Sequence, residues 1–199
     1  MSKPNKKTAH TIGFMIIFFL VVIAVYYYVS TRTTPIFPES ITNMTEIEAL
    51  IAKDIEEDYP ATPREVLKLY NRIMKSFHTL KIKDDEINQL AEQMYILYDK
   101  ELKESNTYEE YVLELKVEIT EYRNAGKLIM NDNVEASKEI FYWEDAGEKY
   151  ASLSSSYTIK EDGDYTKVIE DFMLRKDAEG KWRILGFKLS DKTEINTVE

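Results

Sequence analysis

The chain has 199 residues, 44% of them hydrophobic and only 6 of them glycine, which is enough for one domain with a sizeable core. It contains no cysteine, so disulfide staples and a thioether-linked lipid anchor are excluded and stability must come from packing. The first 34 residues hold four basic side chains and no acid, which leaves 22 basic against 36 acidic residues and a net charge of -14 in the remainder. A module that acidic repels nucleic acid and anionic lipid, so nucleic-acid partners are not expected.

Residues 12–29, IGFMIIFFLVVIAVYYYV, form an uncharged run of 18. As a helix it would measure about 27 Å, close to a bilayer core of about 30 Å. Lys3, Lys6 and Lys7 precede it and Arg32 alone follows closely, so the positive-inside bias predicts a cytoplasmic tail over 1–11 and a single-pass plasma-membrane protein with its C-terminal domain outside. Tyr26, Tyr27 and Tyr28 crowd the exit end, where amphipathic rings favour the headgroup layer. A cleaved signal peptide shares this layout, but the run is longer than an ordinary signal core and no A-x-A-like site follows it.

Residues 30–60 read as a linker with a short helix: TRTTPIFPES is proline-rich, and Asn43 and Glu46 have capping spacing ahead of a stripe of Ile47, Leu50, Ile51 and Ile55 ending near Asp58. An exterior domain is expected over 61–192, with a tail at 193–199. Its first helix starts at Thr62 as N-cap, Pro63 at the first helical position and Glu65 closing the capping box. Val66, Leu67, Tyr70, Ile73, Met74 and Phe77 make its apolar stripe. A second helix from about Asp85 presents Ile87, Leu90, Ala91, Met94, Leu97, Tyr98 and Leu102. A third follows Asn106, presents Tyr108, Tyr111, Val112, Leu115, Ile119 and Tyr122, and ends at Gly126.

From Val134 the period changes to two, and the turn signals EDAG, EDGD and DAEG divide the rest into four strands. The fold class is therefore α+β: an N-terminal transmembrane helix, then three to four helices packed on a four-stranded antiparallel meander. An Asp162-Gly163 loop pairs Glu161 with Asp164 and, counting back, Tyr157 with Val168, Ser155 with Glu170 and Leu153 with Phe172. A three-residue loop at DAEG pairs Lys176 with Trp182 and, with regular alternation, Glu170 with Lys188. Of the adjacent acids Glu170 and Asp171, Glu170 is then expected on the helix-covered face, flanked by Ser155 and Lys188 as a structural ion pair. The same register gathers Ile169, Met173, Leu185, Phe187 and Leu189 around Asp171 on the outer face, as a docking surface unless the early helix or the tail covers it.

Helices followed by DGDYTKVIEDFMLRKDAEGKWRILGFKL resemble the nuclear transport factor 2-like, or cystatin-like, α+β folds, in which a curved sheet wraps helices around a cone-shaped cavity. The anchor, YPATPREVLKLYNRIMKS and the final hairpin together resemble an uncharacterised family, a domain of unknown function, of membrane-anchored proteins in Gram-positive anaerobes. The fold resemblance implies that an inward acid with tyrosines could serve an isomerase or dehydratase, since proton transfer beside a carbonyl needs a base and an oxyanion donor. Glu170 with Tyr157, Tyr70 or Tyr98 supplies those residue types. Nucleophile-elbow, zincin, Walker and Rossmann motifs are absent, and EDGD reads as a hairpin turn, so no catalytic residue, metal or cofactor is assigned. The leading expectation is a membrane-anchored binding or scaffold module that meets a protein partner or a second copy without catalysis. The alternative is a pocket for a small apolar ligand, or an isomerase-like site, using Glu170, Lys188, Ser155 and Tyr157. Open volume beside Glu170 discriminates the two.

Overall fold

A computed structural model describes residues 44–79 and 82–192. The expected transmembrane span at 12–29, the proline-rich linker and the tail at 193–199 lie outside the described residues. Among those described, no helix is long and apolar enough to cross a membrane.

Helix α1 spans Glu46–Ile51. Its N-cap is Thr45, not Asn43: the Thr45 hydroxyl accepts from the Glu48 N–H, and Glu48 returns a carboxylate oxygen to the Thr45 N–H at 2.7 Å. It stops seven residues before the expected Asp58, because Asp54 accepts the Glu57 N–H and folds the next segment into a turn. Leu50 and Ile55 are buried in the core, and α1 packs on the helices that follow. A domain drawn from residue 61 would omit both side chains.

Helix α2, Pro63–Phe77, begins with the Thr62–Glu65 capping box that the sequence spells out, and buries Val66, Leu67, Tyr70, Ile73 and Phe77. The expected long second helix is two. Helix α3, Asp84–Leu97, stops where Tyr98 turns extended, and α4, Lys100–Ser105, restarts behind Asp99, whose side chain accepts the Glu101 N–H. The break lets Tyr98 bridge to Ile184 in the sheet, with the Asp99 N–H donating to the Ile184 carbonyl at 2.8 Å. Arg175 closes on the Asp99 carboxylate and secures the junction. Helix α5, Tyr108–Asn124, is capped by Thr107 with Glu110 and ends ahead of Gly126, which takes φ +63°.

Strands β1 (Leu128–Val134) and β2 (Phe141–Asp145) both pair with β3 (Glu148–Glu161), one along each half of the same edge. They are one first strand of a meander, starting earlier than the expected Val134 and interrupted by a 3₁₀ turn at Ser137–Glu139. Glu135 patches the interruption by accepting the Ser154 N–H while donating its own N–H to the Ser154 carbonyl. Strands β4 (Asp164–Lys176) and β5 (Trp182–Leu189) complete the antiparallel order. The β3–β4 register follows the Asp162-Gly163 turn throughout, including Ser155 opposite Glu170 and Leu153 opposite Phe172.

The β4–β5 register holds only from Lys176 opposite Trp182 to Leu174 opposite Ile184. There β5 inserts one extra residue, and Gly186 pairs with Met173. Because strand side chains alternate, a single insertion moves every later residue to the other face. Phe187 therefore opposes Phe172, Lys188 opposes Asp171 and Leu189 opposes Glu170. The inner face carries the buried Ala151, Leu153, Phe172, Leu174, Trp182 and Ile184, covered by the helices.

Candidate functional site

The four candidate residues separate into two groups. Ser155 is buried opposite Glu170, but its hydroxyl accepts from Asn71 Nδ2 at 2.7 Å. Tyr157 donates to Asn71 Oδ1 at 2.8 Å, and Asn71 also reaches Asp132. Asn71, wholly buried on α2, thus pins two strands of the sheet to the helix. Its place could have been read from the sequence, since Leu67, Asn71 and Met74 follow helical spacing within the apolar stripe. Lys188 is exposed on the outer face beside Asp171, so it forms no strut with Glu170. Burial pushes Asp171 up, but hydrogen bonds from Ser154 and Ser190, with Lys192 and Lys188 nearby, hold it below its ordinary value.

The expected docking surface also splits. Met173 is exposed, and Ile169 and Leu185 are half-buried. Phe187 and Leu189 have moved to the Glu170 side, and Phe187 stacks on Phe172 at 5.4 Å between ring centroids. Helix α1 lies against α2 and α3 and does not serve as the expected cover for an outer patch.

Glu170 instead borders a cavity of about 370 Å³ between the inner face and the helices. Tyr70 and Met74 of α2, Met94 of α3, Tyr98 at the helix break, Leu102 of α4 and Leu115 of α5 give it apolar walls. Tyr95, Tyr98 and Tyr111 pack edge-on or tilted with centroid separations of 5.6 to 6.2 Å, so the side nearest α5 is largely phenol rings. Tyr70 packs edge-on against Phe172 at 5.2 Å, and Phe187 closes the β5 side. Burial raises the phenols of Tyr70, Tyr98 and Tyr111 well above their ordinary range, so they stay neutral at physiological pH. Tyr111 Oη is enclosed beside the Tyr98 phenol.

Glu118 and Glu114 of α5 share this cavity with Glu170. Burial, then the neighbouring Glu118 charge, push Glu170 up to about 6, with the nearby Tyr157 phenol opposing the shift. Glu118 is raised in turn by burial and by Glu121. Glu118 was not singled out from the sequence, although Tyr111, Leu115, Glu118 and Tyr122 occupy one helical face. His78 lies 3.7 Å from Glu118, but burial pushes its imidazole down to about 4, so it is neutral. Among the described residues its two ring nitrogens have no hydrogen-bond partner, and its ring packs on Tyr122. Among the described residues no basic side chain lines the cavity, and no group of acids and histidines is arranged to hold a metal.

A family of unknown function, the domain DUF6715, matches residues 1–187, and the chain belongs to that family. No curated protein matches it.

Proposed function

We propose that this member of the DUF6715 family is a membrane-anchored module whose exterior α+β domain binds a small, largely apolar ligand in the cavity beside Glu170. The observation that carries the reading is the open volume itself. A scaffold whose helix–sheet interface served stability alone would fill that space with side chains, as proteins ordinarily do. Here about 370 Å³ stays open against rings, thioethers and leucine, within the size range of ligand pockets. The anchoring half rests on the uncharged run at 12–29 and the lysines before it. The order of helices and meander also supports a cone-like, nuclear transport factor 2-like arrangement.

Methionine methyl NMR tests the pocket on the full chain in lipid nanodiscs. Phenylbutanol should shift the Met74 and Met94 methyls, which line the cavity, and leave the exposed Met173 and Met130 unmoved. Unmoved Met74 and Met94 signals at the solubility limit of the alcohol refute the pocket. Protease added to intact cells should remove the domain and leave a small membrane-bound stub, and a protected domain refutes the orientation.

A second reading, proton transfer, is favoured by one observation. A carboxylate at about 6 beside neutral phenols is a base paired with hydrogen-bond donors. Isomerisation of an unconjugated enone that vanishes in Glu170→Gln would support it.

A further inference from the structure

We infer that the occupant of this cavity is an amine-bearing amphiphile, its ammonium held between Glu170 and Glu118 and its apolar portion among the tyrosine rings. This rests on the pocket reading above and specifies the ligand class.

The charges point one way. Three carboxylates, Glu114, Glu118 and Glu170, line the cavity, and among the described residues no lysine or arginine does. Glu114 and Glu118 stand exposed at the α5 rim, while Glu170 is half-buried, and a carboxylate drawn out of water is normally paired because unpaired buried charge is costly. The groups that could pair with them are elsewhere. Lys188 is on the outer face with Asp171, and Arg175 is engaged by Asp99, Glu101 and Glu148. His78, the nitrogen base facing Glu118, is held neutral by burial. Lys103 sits over the Tyr95 ring at 4.9 Å and is itself lowered by burial and by Arg183. Burial first, and then the Glu118 charge, displace Glu170 toward its neutral form. A ligand cation would relieve that repulsion, whereas a carboxylate ligand would add to it.

The walls fit the same ligand. Tyr70, Tyr95, Tyr98 and Tyr111 present ring surface, the environment in which ammonium groups gain cation–π attraction. Lys103 over Tyr95 shows that one of these rings already receives a cation. Met74, Met94, Leu102 and Leu115 offer nothing polar and suit a hydrocarbon chain or ring.

Three probes of one shape test the assignment on the full chain in lipid nanodiscs, with empty nanodiscs as the blank: phenylbutylamine, phenylbutanol and phenylbutyrate. At about pH 7.5 the amine should bind roughly tenfold or more tighter than the alcohol, as a charge-assisted contact gives. The butyrate should bind weakest. In the Glu170→Gln, Glu118→Gln double variant the amine should fall to the level of the alcohol, while the affinity of the alcohol persists and reports an intact pocket. In the unaltered chain the preference for the amine should shrink toward pH 5, as Glu170 takes up a proton and the alcohol is unaffected. Equal binding of amine and alcohol, a preference for butyrate, or an amine preference that survives both substitutions overturns the amine assignment and leaves the pocket standing. Failure of all three probes to bind overturns both.

Discussion

Replacing Glu170 by glutamine should stabilise the empty protein. In the fold its carboxyl titrates near 6, against an ordinary value of 4.5. An acid raised in this way is penalised in its ionised form, so the fold loses stability as pH climbs from about 4.5 through about 6 and stays at the lower level above. The difference corresponds to about 2 kcal/mol. Glutamine has nearly the same shape and no charge, and its amide can still meet Tyr157. At about pH 7.5 the variant should therefore gain 1 to 2 kcal/mol, which for a chain of this size is roughly 2 to 8 °C in melting temperature. Near pH 4.5 the two proteins should melt together. Circular dichroism melts at both pH values, on full-length chains in the same nanodiscs, make the comparison. A variant less stable than the parent at neutral pH, or a gain that persists unchanged into acid, would refute the argument and restore Glu170 as a strut.

Lys188→Met should change stability by less than about 1 kcal/mol, and a double-mutant cycle with Glu170→Gln should be additive, because exposed pairs contribute little and these two side chains occupy opposite faces. Arg175→Met should cost about 3 kcal/mol in urea unfolding, since it strands the buried Asp99 carboxylate at the α3–α4 break; a loss below about 1 kcal/mol would remove Arg175 as the lock of that junction. Asn71→Leu should cost about 2 to 4 kcal/mol by leaving Ser155 and Tyr157 without their partner, with unchanged stability refuting the bridge. A fragment of residues 44–192 should unfold at higher urea than one of residues 61–192 by about 3 to 6 kcal/mol, the contribution of burying Leu50 and Ile55. Equal midpoints would place α1 outside the cooperative unit.

Where local chemistry decides, the sequence was readable. Thr62, Pro63 and Glu65 mark a helix start whatever surrounds them, and Asp162-Gly163 fixes a two-residue turn from which the whole β3–β4 ladder follows. What escaped depends on partners distant in the chain. The apolar stripe runs on from Leu97 through Leu102, so nothing local announces that Tyr98 will leave the helix to meet Ile184 or that Arg175 will hold Asp99. The β5 insertion did leave a trace, since a lone glycine inside a strand, Gly186, is an ordinary companion of a bulge. Strict alternation through that glycine would set Lys188 beside Glu170, whereas the insertion sets it beside Asp171. Glu118 was hidden for a related reason: one glutamate among several on α5 becomes distinctive only once the cavity it borders is known.

The β5 insertion also works as a parity switch. Deleting one residue there would restore strict alternation, bringing Lys188 round to the side of Glu170 and turning Phe187 away from Phe172. The cavity would trade an aromatic wall for an ammonium of its own, and its acids would be answered from within the chain. Its charge preference is thus governed by a residue count in a strand, and a relative with β5 one residue shorter could keep every acid in this cavity and still refuse a cation.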